Sequence, residues 1–224
     1  MARIARIVIP GWPHHVTQRG NNRQTVFFNN NDREVYLKIL AQYKQLYRMA
    51  LIGYTLMSNH VHIIPIPEFN NSLAKGIGRT NNDYSRWLNV QFNQTGHLWQ
   101  ARFYSCPVEF ASLPDVLAYV ELNPIRASIV KRPEDWPWSS ARAHIMGKDE
   151  SGLLDMEWWN NQFTPDSWAD YLRQKLNNSA MLHRIRTTTQ TGKPFVSSKG
   201  LRQLEATLGR SLQPRKGWQQ PTDS

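Results

Sequence analysis

His60 and His62 bracket one apolar residue, Val61, in the run TLMSNHVHIIPIP. Side chains two apart on a strand point to the same side. An extended segment there aims two imidazoles at one metal ion and turns Val61 the other way, toward a core. Two histidines at this spacing are also a plain polar surface pair, so their chemistry depends on what the rest of the chain supplies.

The supply comes from SLPDVLAYVELNPIRASIV, where Tyr119 and Asn123 stand four residues apart and therefore share a helix face. A phenol is a poor nucleophile at its free pKa of about 10. It becomes useful when a metal or a base stabilises its oxyanion and a phosphate is held in line with it. Asn123 offers a carbonyl oxygen one turn on, a third ligand beside the two imidazoles. Such an N/O set with open positions suits Mg²⁺ or Mn²⁺, and two imidazoles also accept zinc. Pro124 bends the helix or frees a carbonyl next to that position. A packed helix tyrosine is the alternative reading of Tyr119.

These residues need elements to hold them. GWPHHVTQRG over 11–20 reads as a strand, with His15 and Thr17 on one side and Val16 and Gln18 on the other. Asp32 caps a helix over 33–48, in which Tyr36, Ile39, Leu40, Tyr43 and Tyr47 recur at helical spacing. A strand over 50–57, a tight turn at Ser58-Asn59 and a returning strand over 60–66 follow, with Pro65 and Pro67 limiting pairing at its end. A helix begins at Asn71 or Ser72 and runs to about Val90, its first turns softened by Gly76 and Gly78. GHLWQARFYSC over 96–106 reads as the fourth strand, and a helix runs from Ser112 to about Val130. This order predicts an α+β fold: a ferredoxin-like four-stranded antiparallel sheet with packed helices, extended by a third helix. Beyond Pro133 the pattern becomes a turn and a short helical piece in EDWPWSSARAHIMG. Further short helices are expected in MEWWNNQF, SWADYLRQKL and SSKGLRQLEATLGR. The division expected is a domain over 1–150 and a basic helical accessory region over 151–224, with GWQQPTDS loose at the end.

Composition narrows the function classes. The chain has 224 residues, 40% hydrophobic, which suffices for a real core. Its one cysteine, Cys106, excludes an internal disulfide and a thiolate metal cluster. No apolar run reaches the length of a signal peptide or a membrane span, so a cytoplasmic protein with no membrane partner is expected. Formal net charge is +10, and residues 181–224 carry eight Lys or Arg against Glu205 and Asp223. A basic tail of this kind suits a polyanion such as nucleic acid, or is a solvated surface. Nine tryptophans and eight tyrosines supply stacking surfaces or ordinary core.

The stretches PHHVTQRGNNRQTVFF, GYTLMSNHVHIIP, GHLWQARFYSCPV, YVELNPIRASIV and WPWSS, in that order, resemble the single-tyrosine transposases of the IS200/IS605 type. The similarity extends in particular to their chromosomal relatives, the REP-associated tyrosine transposases. It covers roughly residues 10–145, with a weaker echo in TGKPFVSSKGLRQLEATLGR. In that family a His-hydrophobic-His motif binds a divalent metal, and His60-Val61-His62 matches it. The resemblance makes Tyr119 the nucleophile. It makes Asn123 the polar ligand one turn later, where insertion-sequence transposases usually carry the longer glutamine. It implies Mg²⁺ or Mn²⁺, a 5′-phosphotyrosine intermediate, and single-stranded DNA bearing short hairpins, the REP palindrome being the expected element. Family transposases work as dimers in some cases and REP-associated relatives as monomers, so both states stay open.

Other groups stand as DNA-contact positions. Arg19, Arg23, Arg79 and Arg86 are available to phosphates. Arg102, alternating with Gln100 and Tyr104, approaches a phosphate or simply faces water. His15 and His97 contact DNA or complete a hydrogen-bond network. Trp136 and Trp138 pack the accessory region onto the domain. An enzyme is the expected class. The competing classes are a hairpin-binding module without turnover and a metal-binding structural protein.

Overall fold

Alternating apolar residues build the sheet. The computed structural model describes residues 6–176, 179–209 and 211–212. Strands β1 (His14–Arg19), β2 (Met49–Met57), β3 (His60–Pro67) and β4 (Tyr104–Pro107) pair antiparallel in the order β2-β3-β1-β4. With helices α1 (Asn30–Leu46) and α2 (Ser72–Gln91) in the β1-α1-β2 and β3-α2-β4 crossovers, this is the ferredoxin-like plan. Val16, Leu56, Val61 and Ile63 pack with Tyr36, Leu40, Leu73, Ile77 and Tyr84 of α1 and α2 on one face.

The opposite face is covered from later in the chain, although Leu153 and Leu154 return to the first core. There α3 (Leu113–Glu121) and the short α4 (Asn123–Arg126) are followed by α5 (Ala141–Met146), α6 (Glu157–Asn160), α7 (Pro165–Lys175), α8 (Ser179–Thr191) and α9 (Ser198–Leu208). Ile52, Ile64 and Cys106 of the sheet join Val116, Leu117 and Val120 of α3, Trp168 and Leu172 of α7, and Ile185 of α8 in a second core. His15 and His62 lie on this second face, since they alternate with Val16, Val61 and Ile63.

Several local expectations need correcting. The cap of α1 is Asn29, and Asp32 is its partner in a capping box, accepting from the Phe28 and Asn29 amides at 2.6 and 3.1 Å. Pairing on β3 continues through Pro65 and Pro67, opposite Leu51 and Met49. Both prolines lie past Ile63, where pairing with β1 stops, so no donor is lost on that side. A register shift between Leu51 and Gly53 makes Ile52 the extra residue of a bulge. The bulge lets Met49 and Leu51 face the same core as Tyr54 and Leu56 while Ile52 turns to the other. Gly76 does not soften α2. A Cβ there would sit 2.3 Å from Met49 Cε, so the glycine sets how closely the helix approaches β2.

β4 is much shorter than expected. Residues 101–103 leave the ladder, while Trp99 bridges Gly20 just beyond β1, with Gln100 N donating to Arg19 O at 2.9 Å. Gln18 Nε2 donates to Ala101 O at 2.8 Å, and Trp99 turns its indole to Asn81 O at 2.8 Å. The helix expected over 112–130 breaks at Leu122, one residue before the Asn123-Pro124 pair. Helix α8 lies in a stretch without an expected element. Its threonines have low helix propensity but return their hydroxyls to carbonyls four residues back: Thr188 to Arg184, Thr189 to Ile185 and Thr191 to Thr187, each at 2.8 Å. The terminal stretch GWQQPTDS and the cations Arg210, Arg215 and Lys216 lie outside the described residues. Among the described residues no helix is long and apolar enough to cross a membrane.

Candidate active site

The register of the sheet assembles the site. Thr17 and Thr55 flank His62 on β1 and β2. Thr55 Oγ1 donates to Val120 O at 2.9 Å, which ties α3 to the sheet beside that histidine. The result is a cleft of about 640 Å³ in which His60 and His62 meet Tyr119 and Asn123. The Tyr119 ring stands edge-on to His62 and to His15, both at 5.6 Å between centroids. His60 and His62 are 5.1 Å apart by the same measure.

Each imidazole of the HxH pair uses its Nδ1 inside the protein. His60 Nδ1 donates to Asn59 Oδ1 at 2.6 Å, and Asn59 is itself pinned by donating to Arg23 O at 3.1 Å. His62 Nδ1 lies 2.9 Å from His15 Nε2, and His15 Nδ1 lies 2.7 Å from Thr189 Oγ1. Nε2 of each is left for a cation. Burial, reinforced by Arg19, pushes His60 down to about 4. Burial also holds His62 well below the usual histidine range, with His60, His15, Arg126 and Arg19 adding to it. Both are therefore neutral near pH 7, the form that binds metals. Among the described residues no group of three or more His, Cys, Asp or Glu side chains could hold a metal. A cation held here would rest on two imidazoles and the amide oxygen of Asn123, with its other positions open, a donor set that fits a divalent ion.

Asn123 has a second task. Pro124 cannot donate to Val120 O, and Asn123 Nδ2 fills the gap by donating to Val120 O at 3.2 Å and Tyr119 O at 2.9 Å. With its NH₂ engaged, the side chain has its oxygen for a ligand.

Arg126 is the residue that the sequence reading passed over. Its guanidinium carbon lies 4.8 Å from the Tyr119 ring centroid, and Nη2 donates to Tyr119 O. Nε and Nη1 are buried without a partner. Desolvation pushes the group down to about 10, against the attraction of Tyr119. Its signal was in the sequence: a cation seven residues after Tyr119 returns to the same helix face. Arg186, Thr189 and Gln190 of α8 also line the cleft, and no local pattern announces them.

Of the other expected contact residues, His15, Arg19 and Arg23 line the cleft. Arg79 and Arg86 sit exposed on α2, across the sheet, Arg79 over the Tyr47 ring at 5.5 Å and Arg86 3.5 Å from Asp83. Arg102 and His97 are exposed on the irregular segment before β4 and do not line the cleft, whereas Gln100 and Tyr104 do. Trp136 donates to Leu56 O at 3.1 Å, and Arg33 lies over the rings of Trp136 and Trp138.

Known proteins share sequence and fold with this chain. A protein of Haemophilus influenzae described as a REP-associated tyrosine transposase is 26% identical over 135 residues, 52% of this chain and 77% of that one. The solved structure of a REP-associated tyrosine transposase bound to a REP hairpin is similar with a TM-score of 0.53 at 18% identity, covering 70% of this chain and 91% of that one. That likeness shows the shared fold. The family model described as "Transposase IS200 like" matches residues 11–123, from the strand that holds His15 to Asn123. The chain belongs to the IS200-like transposase family.

Proposed function

We propose that this chain is a metal-dependent endonuclease and strand transferase for single-stranded DNA, acting through Tyr119 on REP-type hairpins. The observation that carries the reading is the contact of the Tyr119 ring with His62 in one cleft, under the guanidinium of Arg126. His60, His62 and Asn123 would hold Mg²⁺ or Mn²⁺, which when bound supplies charge stabilisation and alignment at a phosphate. Arg126 places positive charge over the Tyr119 ring, where it favours loss of the phenol proton. Arg19, Arg23 and Arg186 guide the strand backbone into the cleft.

In the cleavage step the Tyr119 oxygen bonds to phosphorus and the P–O3′ bond breaks. The 3′-oxygen takes up a proton as the phenol gives one up. The DNA is left with a 3′-OH and a 5′ end on the tyrosine. Attack by a 3′-OH reverses the step and joins strands without ATP, because the phosphotyrosine keeps the energy of the phosphodiester. Hairpin recognition follows the relative whose structure holds a REP hairpin. Residues 1–150 would carry the chemistry, and the basic helices of 151–224 would complete the DNA-facing wall.

The test is a labelled single-stranded oligonucleotide with a REP hairpin, incubated with protein and Mg²⁺ or Mn²⁺ and resolved on a denaturing gel. Cleavage with a covalent adduct is expected, absent in Tyr119→Phe. Full adduct formation by that variant would refute the nucleophile assignment. Full metal-dependent activity in His60→Ala and His62→Ala would refute the ligand assignment. Hairpin binding with no adduct under any divalent ion would make the protein a binding module.

A further inference from the structure

We infer that His15 and Thr189 are positioning residues that fix the tautomer of His62, so that the C-terminal helix α8 prepares the metal-facing nitrogen. The inference rests on the metal reading of His60 and His62. Thr189 lies 174 residues from His15 in the chain and beyond residues 11–123, the part matched by the family model.

The direction of each hydrogen bond follows from what each group can give. Ile185 O can only accept, and Thr189 Oγ1 lies 2.8 Å from it, so the single hydroxyl proton of Thr189 goes there. The lone pairs of Oγ1 then receive His15 Nδ1–H across 2.7 Å. His15 is 1% exposed, and its ring nitrogens meet a hydroxyl and another imidazole. Neither neighbour carries the negative charge that a buried imidazolium needs, so the ring is neutral and its Nε2 is an acceptor. His62 Nδ1–H donates to it across 2.9 Å. The proton of His62 is thereby held on Nδ1, and the lone pair stands on Nε2.

Reversing the relay has a definite consequence. If Thr189 gave its proton to His15, then His15 Nε2–H would donate to His62 Nδ1, and the remaining proton of His62 would occupy Nε2. That nitrogen could not bind a cation. The i−4 carbonyl of α8 selects between the two arrangements. Outer partners of metal-ligating histidines typically change affinity or activity by about 10–100-fold.

Two measurements decide it. In the metal-free wild type, ¹⁵N-histidine NMR, with His62 assigned by its loss in His62→Ala, should show His62 protonated at Nδ1. A proton on Nε2 would overturn the relay. Calorimetric titration with Mn²⁺ should then show Thr189→Val binding about 10–100-fold more weakly than wild type. Thr189→Ser, which keeps the acceptor, should restore wild-type affinity. Equal affinity in wild type and Thr189→Val, both folded by thermal melting, would overturn the relay alone. If the wild type takes up no Mn²⁺, the metal reading fails, and the NMR result still decides the tautomer.

Discussion

Arg126 holds a cation against the ring of Tyr119 with two of its nitrogens, Nε and Nη1, buried and unmatched, an arrangement that is costly unless something anionic uses it. A phenolate in formation or a phosphate in the cleft is such a group. Replacing Arg126 by Leu should lower adduct formation by roughly 10²-fold, the scale of one lost electrostatic partner, and Arg126→Lys should recover only part of it. Single-turnover adduct assays with these variants check this, and unchanged rates would remove Arg126 from the chemistry. His14 makes a different prediction. It is fully buried, its Nδ1 donates to Trp12 O at 2.8 Å, and its Nε2 accepts from the Ile9 amide at 3.2 Å. Burial pushes its pKa down to about 4, against the Trp12 bond that raises it. The unfolded chain takes up the proton at higher pH than the folded one. Stability is therefore full above about pH 6.5 and falls as pH drops toward 4, by about 3 kcal/mol from this residue alone. Denaturant titrations at pH 7 and pH 4.5 should show a smaller difference in His14→Gln than in wild type.

The helix that carries Tyr119 is positioned as an element by a buried carboxylate at its end. Glu121, two residues beyond Tyr119, is fully buried. Its carboxylate accepts from Ser140 Oγ and His144 Nδ1 at 2.5 Å each and from Trp168 Nε1 at 2.8 Å. This joins α3 to α5 and α7. Glu121→Ala leaves the buried donors unmatched and should cost about 3–5 kcal/mol, read as a drop in denaturation midpoint with weaker adduct formation. A change below 1 kcal/mol would show that packing alone holds the helix. The local cues for α3 were legible in the sequence: apolar spacing through Val116, Leu117 and Val120, and Pro124 near the break. That Asn123 would spend its NH₂ on the carbonyls freed by Pro124 was not legible. The bond depends on where the chain turns after Leu122, and residue type does not determine that. β4 was misread for a related reason. Phe103 has a strand-forming side chain, but Gln18, distant in sequence, takes the carbonyl of Ala101 in the stretch before β4.

Across the molecule, with its formal charge of +10, the described arginines stand on both faces of the sheet. Arg19, Arg23, Arg126 and Arg186 converge on the cleft, while Arg79 and Arg86 stand on the far face with α2. Arg186→Ala should therefore reduce the slope of log affinity against log salt for hairpin DNA by about 1. Arg86→Ala should leave the slope unchanged. Equal effects would mean that DNA wraps both faces. The sequence by itself determined the α+β class, the order of strands and helices as far as α3, and the choice of His60-Val61-His62, Tyr119 and Asn123 as residues of one candidate site. Period-two and helical spacing are local properties, and each places a side chain on a face without reference to the rest of the chain. Only the tertiary structure decided which cations reach the site, where Asn123 spends its NH₂, and that His15 and Thr189 stand behind His62. Those facts depend on which face of the sheet each later helix covers, and that is settled by the packing of Trp168, Leu172 and Ile185 against Ile52, Ile64 and Cys106.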